Sequence, residues 1–159
     1  MKELNKLERE IWISFHEFAY KDDLKLSKEL IEKHPRWSII SGYYAMHDIT
    51  KLYLGKIHNI KISGFNVHKQ VIDSLKDVLK LDNKKLIELL ENAENEIKGL
   101  GIEDIPYLLV EGKKERAKVQ YYSSNVFSDN KEYVKKAKEF FEELVVVFVK
   151  IMEDLINVS

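Results

Sequence analysis

The stretch W-S-I-I-S-G-Y-Y-A-M-H-D-I-T-K-L-Y-L, residues 37–54, decides the fold. Ile39, Ile40, Tyr43, Tyr44, Met46, Ile49, Leu52 and Tyr53 cover more than half the circumference of a helix drawn through it. A helix that is apolar nearly all round belongs at the centre of a bundle, with other helices about it. Its few polar residues therefore stand out. Asp48 and Lys51 are expected to emerge at a rim, and His47 to find a hydrogen-bonded place. A functional pairing of Asp48 with His47 is the alternative.

Working outward towards the N-terminus, residues 2–20 read as an amphipathic helix. Leu4, Leu7, Ile11, Phe15 and Phe18 recur at three- and four-residue steps, the spacing of one helical face. Asp22 or Asp23 restarts it as a second segment, or the helix runs through to about Lys33, with Leu24, Leu30 and Ile31 supplying apolar contacts. His34-Pro35 ends it, because the residue before a proline resists the helical well.

Towards the C-terminus, residues 55–64 read as a loop bounded by glycines. Their alternation mimics a short strand, but no partner strand is obvious. Ser63 is expected to cap a helix carrying Phe65, Val67, Val71, Ile72, Leu75, Val78 and Leu79. Asp82 or Asn83 caps a further helix through Leu86, Leu89, Leu90 and Ala93 to Ile97. G-L-G at 99–101 breaks the chain. A segment opened by Ile105-Pro106 runs to about Tyr122, where S-S-N-V-F-S-D-N gathers caps and turn formers. Asp129 or Asn130 starts the last helix. Tyr133, Ala137, Phe140, Leu144, Phe148, Ile151 and Leu155 form one row along it, and Val134, Phe141, Val145, Met152 and Ile156 a second. About 28 helical residues would span roughly 42 Å. Either both rows are intramolecular core, or part of one is buried in a partner.

The expectation is a single domain over residues 1–159, an all-α antiparallel up-and-down bundle of about five to seven helices, with residues 1–14 as an N-terminal helical extension. The chain has no cysteine, which removes disulfides, thiolate metal sites and a cysteine nucleophile. Five histidines, His16, His34, His47, His58 and His68, show no ligand spacing, so neither a metal nor a cofactor is expected. With 26 basic and 27 acidic residues the net charge is −1, so any nucleic-acid contact must use a local patch. A charged N-terminus without an apolar core, and an apolar run limited to residues 144–149, point to a soluble cytoplasmic protein with no membrane contact.

That local patch is found at E-R-A-K-V-Q-Y-Y, residues 115–122. Lys113, Lys114, Arg116 and Lys118 crowd around the single acid Glu115, and Arg116 is one of only three arginines, with Arg9 and Arg36. A guanidinium holds its charge at any working pH and fits phosphate with a planar fork. Tyr121 and Tyr122 offer hydroxyls and faces on which a base can stack. The plainer alternative is that Arg116 makes a structural ion pair.

Four pieces in order, S-G-Y-Y-A-M-H-D-I-T-K-L-Y-L (41–54), N-V-H-K-Q-V-I-D-S-L (66–75), R-A-K-V-Q-Y-Y (116–122) and Y-V-K-K-A-K-E-F-F (133–141), resemble the HEPN superfamily over about residues 15–155. They are most similar to the prokaryotic subgroup with a YYAM helix and an R-x4-Y step, often paired with a minimal nucleotidyltransferase. The resemblance implies an all-α bundle, usually a homodimer, that binds RNA or a nucleotide. It implies a toxin-like component of a toxin–antitoxin pair with that nucleotidyltransferase as antitoxin, or a metal-independent endoribonuclease. The family's catalytic R-x4-6-H motif maps onto Arg116, but the fifth residue beyond it is Tyr121, and no histidine follows His68. Tyrosine titrates near 10, far from imidazole's 6.5, so it is a poor base at neutral pH. The resemblance thus implies Arg116 and Tyr121 at a degenerate catalytic position, Lys113, Lys114, Lys118 and Tyr122 along a phosphate path, and His68 as an accessory residue. A non-catalytic module for dimerisation or partner binding is the alternative function.

Overall fold

Asn5 opens the first helix: its side-chain carbonyl accepts the backbone N–H of Glu8 at 2.9 Å, satisfying one of the donors that a helix start leaves free. Helix α1 then runs unbroken over Lys6–Leu30. Asp22 and Asp23 do not restart it, and residues 6–14 are its first turns. The structure is a computed structural model and describes residues 2–80, 83–100 and 130–158.

Helix α2, Pro35–His58, begins with its proline at the first position, where no N–H is needed. It passes through Gly55 instead of stopping there. Gly55 is required at that point because a β-carbon would collide with the Trp12 indole of α1. Gly42 serves a similar crossing: a β-carbon there would stand 2.8 Å from Val145 Cγ2 and 2.9 Å from Ser27 Oγ. Asn59 ends the helix in the left-handed region.

The stretch after α2 contains a short pairing that the sequence did not suggest. Ile60–Lys61 lies antiparallel to Lys2–Glu3, so the alternation in this loop does find a partner, at the other end of α1. Helix α3, Val67–Leu79, is preceded by Asn66 in the left-handed region, and Ser63 does not cap it. Phe65, expected in the apolar row of α3, is exposed before the helix begins. Helix α4 spans Lys84–Gly99 and is entered through Asn83, whose side chain makes no capping bond.

The last rod has three parts: α5, Asn130–Glu139, a π-helical stretch, Phe140–Val145, and α6, Val146–Val158. The wider π turn lets the adjacent Phe140 and Phe141 both enter the core. Tyr133, Ala137, Phe140 and Phe148 from one apolar row and Phe141, Val145, Met152 and Ile156 from the other are buried, while Leu144, Ile151 and Leu155 on the first and Val134 on the second are half-buried.

The described residues therefore form an all-α bundle of five rods with α2 at the centre. It meets α1, α3, α4 and every part of the last rod. Ile39, Tyr43, Met46, Ile49 and Leu54 on α2 are almost wholly buried, as an all-round apolar helix demands. No helix of the described residues is long and apolar enough to cross a membrane.

Candidate functional site

Two groups of polar side chains are carried into the bundle by α2, one on each side. The first joins α2 to α3. Tyr43 and His47 lie one turn apart on α2, and His68 stands in the first turn of α3. The Tyr43 hydroxyl is 3.0 Å from His68 Nδ1, and the same nitrogen is 3.3 Å from His47 Nε2. The rings of Tyr43 and His68 stack with 5.4 Å between centroids, and the His47 ring meets both edge-on.

Burial sets the protonation in this group. The Tyr43 phenol is pushed far above its ordinary range by desolvation, and further by the charge of Glu94, so it stays neutral. His47 is pushed well below its ordinary 6.5 by desolvation first, then by the charges of His68 and Lys51. It is a neutral imidazole at working pH. His68 Nδ1 is the meeting point of both bonds, and its tautomer sets which partner donates. The arrangement can pass a proton through two imidazoles or hold one ring in a set orientation. It was legible in part: His47 is hydrogen-bonded inside, as expected, and His68 is a first-turn residue. Its Nδ1 meets the side chains of Tyr43 and His47.

The second group joins α2 to α1. His16 Nδ1 lies 2.8 Å from Asp48 Oδ1 in a buried pair. Asp23, seven residues further along α1, hydrogen-bonds to the same Asp48 carboxyl. Burial raises the Asp23 carboxyl from 3.8 to about 8, assisted by that bond and by the charges of Asp48 and Asp22. Two carboxyls this close share one proton. Burial also lowers the Lys51 ammonium, with Asp48 opposing it. Asp48 is buried and Lys51 half-buried, so neither emerges at a rim as the sequence suggested. The reason lies on α1, which turns a polar face to α2. Trp12 Nε1 donates to the Lys51 carbonyl at 3.0 Å, Arg9 to the Lys56 carbonyl at 2.8 Å, and Ser27 and Ser38 exchange bonds with each other's carbonyls at 2.7 and 2.6 Å.

A groove of about 560 Å³ runs between α4 and the last rod. Asn92, Asn95, Glu132, Glu139 and Glu143 line it, and the Lys136–Glu96 ion pair at 3.4 Å spans it. Its walls are more acidic than basic and do not suit a phosphate. No three His, Asp or Glu side chains among the described residues stand together in a way that would hold a metal ion.

Lys113, Lys114, Arg116, Lys118, Tyr121 and Tyr122 lie outside the described residues. Of the expected site residues, His68 alone is placed. The partners that hold it, Tyr43 and His47, were not among them. The signal that could have found them is the one-turn spacing of a tyrosine and a histidine on an otherwise apolar helix.

The last surface of note is the outer face of α1. Leu7, Ile11, Phe15 and Phe18 are 67, 62, 63 and 70% exposed, and Leu26 is exposed further along. These are the residues whose spacing marks α1 as amphipathic, and they face away from the bundle. No family model, curated protein or solved structure matches the chain.

Proposed function

We propose that the chain is a HEPN-type helical domain that binds RNA or a nucleotide, as a toxin-like component or degenerate ribonuclease working beside a minimal nucleotidyltransferase. The observation that carries this reading is the meeting of Tyr43 and His47 with His68. The two stretches that resemble the family most closely in the first half of the chain come together through those polar residues. In this reading Arg116 grips phosphate, Lys113, Lys114 and Lys118 steer it, and Tyr121 and Tyr122 position or stack a base. His68, oriented by Tyr43, supplies an imidazole that the region beyond Arg116 lacks.

The test is binding and cleavage of single-stranded RNA at low salt, where phosphate contacts are strongest. Wild type should bind, Arg116→Ala should lose about tenfold or more in affinity, and His68→Ala should lose cleavage or about tenfold in affinity with the fold retained. Wild type that neither binds nor cuts RNA at low salt ends the proposal.

A second reading is favoured by a separate observation. Leu7, Ile11, Phe15 and Phe18 are exposed side by side along about three turns of α1, a contiguous apolar patch where single scattered residues are the norm on a monomer. Under this reading the bundle is a docking module, and its contact surface is α1. On the last rod most of both rows is packed within the bundle, while Leu144, Ile151 and Leu155 stay half-buried, so part of one row remains open to a partner.

A further inference from the structure

Between Asp48 and Asp73 the chain holds four lysines, Lys51, Lys56, Lys61 and Lys69, and no acid, although acids and bases are nearly equal in number overall. Three of them fall where α2 passes into α3. Lys56 is in the last turn of α2, Lys61 in the short strand Ile60–Lys61, and Lys69 in the first turn of α3. Lys56 and Lys69 are exposed, and Lys61 is half-buried with its ammonium 5.8 Å from the centre of the Trp12 ring. None of the three makes an ion pair among the described residues. Lys2 and Glu3, which pair with Lys61 and Ile60, add no net charge.

Phe65 stands within this run, four residues from Lys61 and four from Lys69, and is 94% exposed. The turn beneath it is fixed. Gly64 at φ +89° and Asn66 at φ +57° both take the left-handed region, which turns the chain before α3 begins. The Gln70 amide nitrogen donates to the carbonyls of Ser63 and Phe65, at 3.1 and 2.5 Å, and ties the turn to α3. A ligand that meets the ring therefore has little backbone left to order.

We infer that Phe65 is a stacking platform for a base of single-stranded RNA, with Lys61 and Lys69 holding phosphates on either side of that base. The inference rests on the RNA reading above and gives it a contact that does not involve Arg116. An aromatic face accepts any base. Four residues span at most about 14 Å, so both lysines stay within reach of a strand that carries a charge at every nucleotide. His68 follows Phe65 by three residues, so the platform and the imidazole assigned above belong to one short segment. A lipid surface fits less well. A single ring buries too little apolar area to anchor a protein there, and Ile62 beside it is buried in the core.

The test uses the full chain at low salt, with fluorescent oligoadenylate and an abasic strand of the same length as probes. Phe65→Ala should lower affinity for oligoadenylate about tenfold and change that for the abasic strand by less than about twofold. Phe65→Trp should keep or raise the affinity, whereas Phe65→Leu, apolar but without a π-face, should fall with alanine. Lys69→Gln should make the salt dependence shallower by about 0.7. Phe65→Ala that binds oligoadenylate as wild type does, while Arg116→Ala loses affinity, overturns the platform and leaves the Arg116 reading in place. The reverse pattern supports the platform and removes the phosphate role of Arg116. Phe65→Leu that binds like wild type, or equal losses on the two strands, overturns stacking. Binding to phosphatidylserine vesicles and not to RNA, lost in Phe65→Ala, assigns the surface to a membrane and overturns both this inference and the RNA reading.

Discussion

Asp23 keeps its proton far above a carboxyl's ordinary range. Its carboxyl holds a proton up to about pH 8 in the folded chain, against 3.8 ordinarily. A raised carboxyl contributes its full stability below its unfolded value, and that stability is lost progressively as the pH rises through the folded one. Folding therefore becomes less favourable from about pH 4 to about pH 8 on this account. Asp23→Asn keeps a donor towards Asp48 without the titration. It should raise stability by about 1–2 kcal/mol at pH 8.5 and change it by less than about 0.5 kcal/mol at pH 4, a discounted figure because Asp23 is half-exposed; urea unfolding at the two pH values decides it. His47 works in the opposite sense. Its folded value is depressed by burial, so its contribution is present above about 6.5 and is lost as the pH falls below it. Gly55→Ala gives a steric test: the added methyl meets an indole anchored to the Lys51 carbonyl, and the cost should be about 1–3 kcal/mol in thermal or urea unfolding despite alanine's better helix propensity. At this scale the sequence spoke for His47, a lone histidine on an apolar helix. It misplaced Asp48, expected at a rim, because what buries Asp48 is a pair of α1 residues seven apart, His16 and Asp23, and no local pattern ties them to α2.

Among the elements, α1 turns its apolar face outward and the last rod turns most of its own inward. Three- and four-residue spacing marks both as helices with apolar faces, and both are helices. Spacing does not say which way a face points. On α1 the opposite face carries Trp12, His16 and Ser27, whose hydrogen bonds to α2 win over the apolar stripe. On the last rod the π turn brings Phe140 and Phe141 in together, so much of its width enters the core. Truncations should separate the two. Phe148→Ala, wholly buried on α6, should cost about 3–5 kcal/mol, whereas Leu7→Ala on the exposed stripe should cost less than about 0.5 kcal/mol when the protein is measured dilute. Chemical denaturation of the two variants side by side checks the contrast. The glycine bounds of the 55–64 stretch misled for a related reason. Gly55 is chosen by the close approach of Trp12 and says nothing about where α2 stops.

For the whole molecule, the bundle itself was readable, since residues 37–54 could belong only at a centre and short connections place their neighbours around it. The functional layer was less so. The polar residues that meet across α2 and α3 come from stretches about 20 residues apart, and the basic, tyrosine-bearing run at 113–122 lies outside the described residues. The proposal that binds these parts into one function is phosphate recognition centred on Arg116. Its most direct measurement is the affinity for single-stranded RNA as a function of salt, for wild type and Arg116→Ala. The account predicts a steep fall in wild-type affinity with salt, and a slope shallower by about 0.7 in the variant, as expected when one phosphate contact is lost. Equal slopes and equal affinities for the two proteins would contradict it.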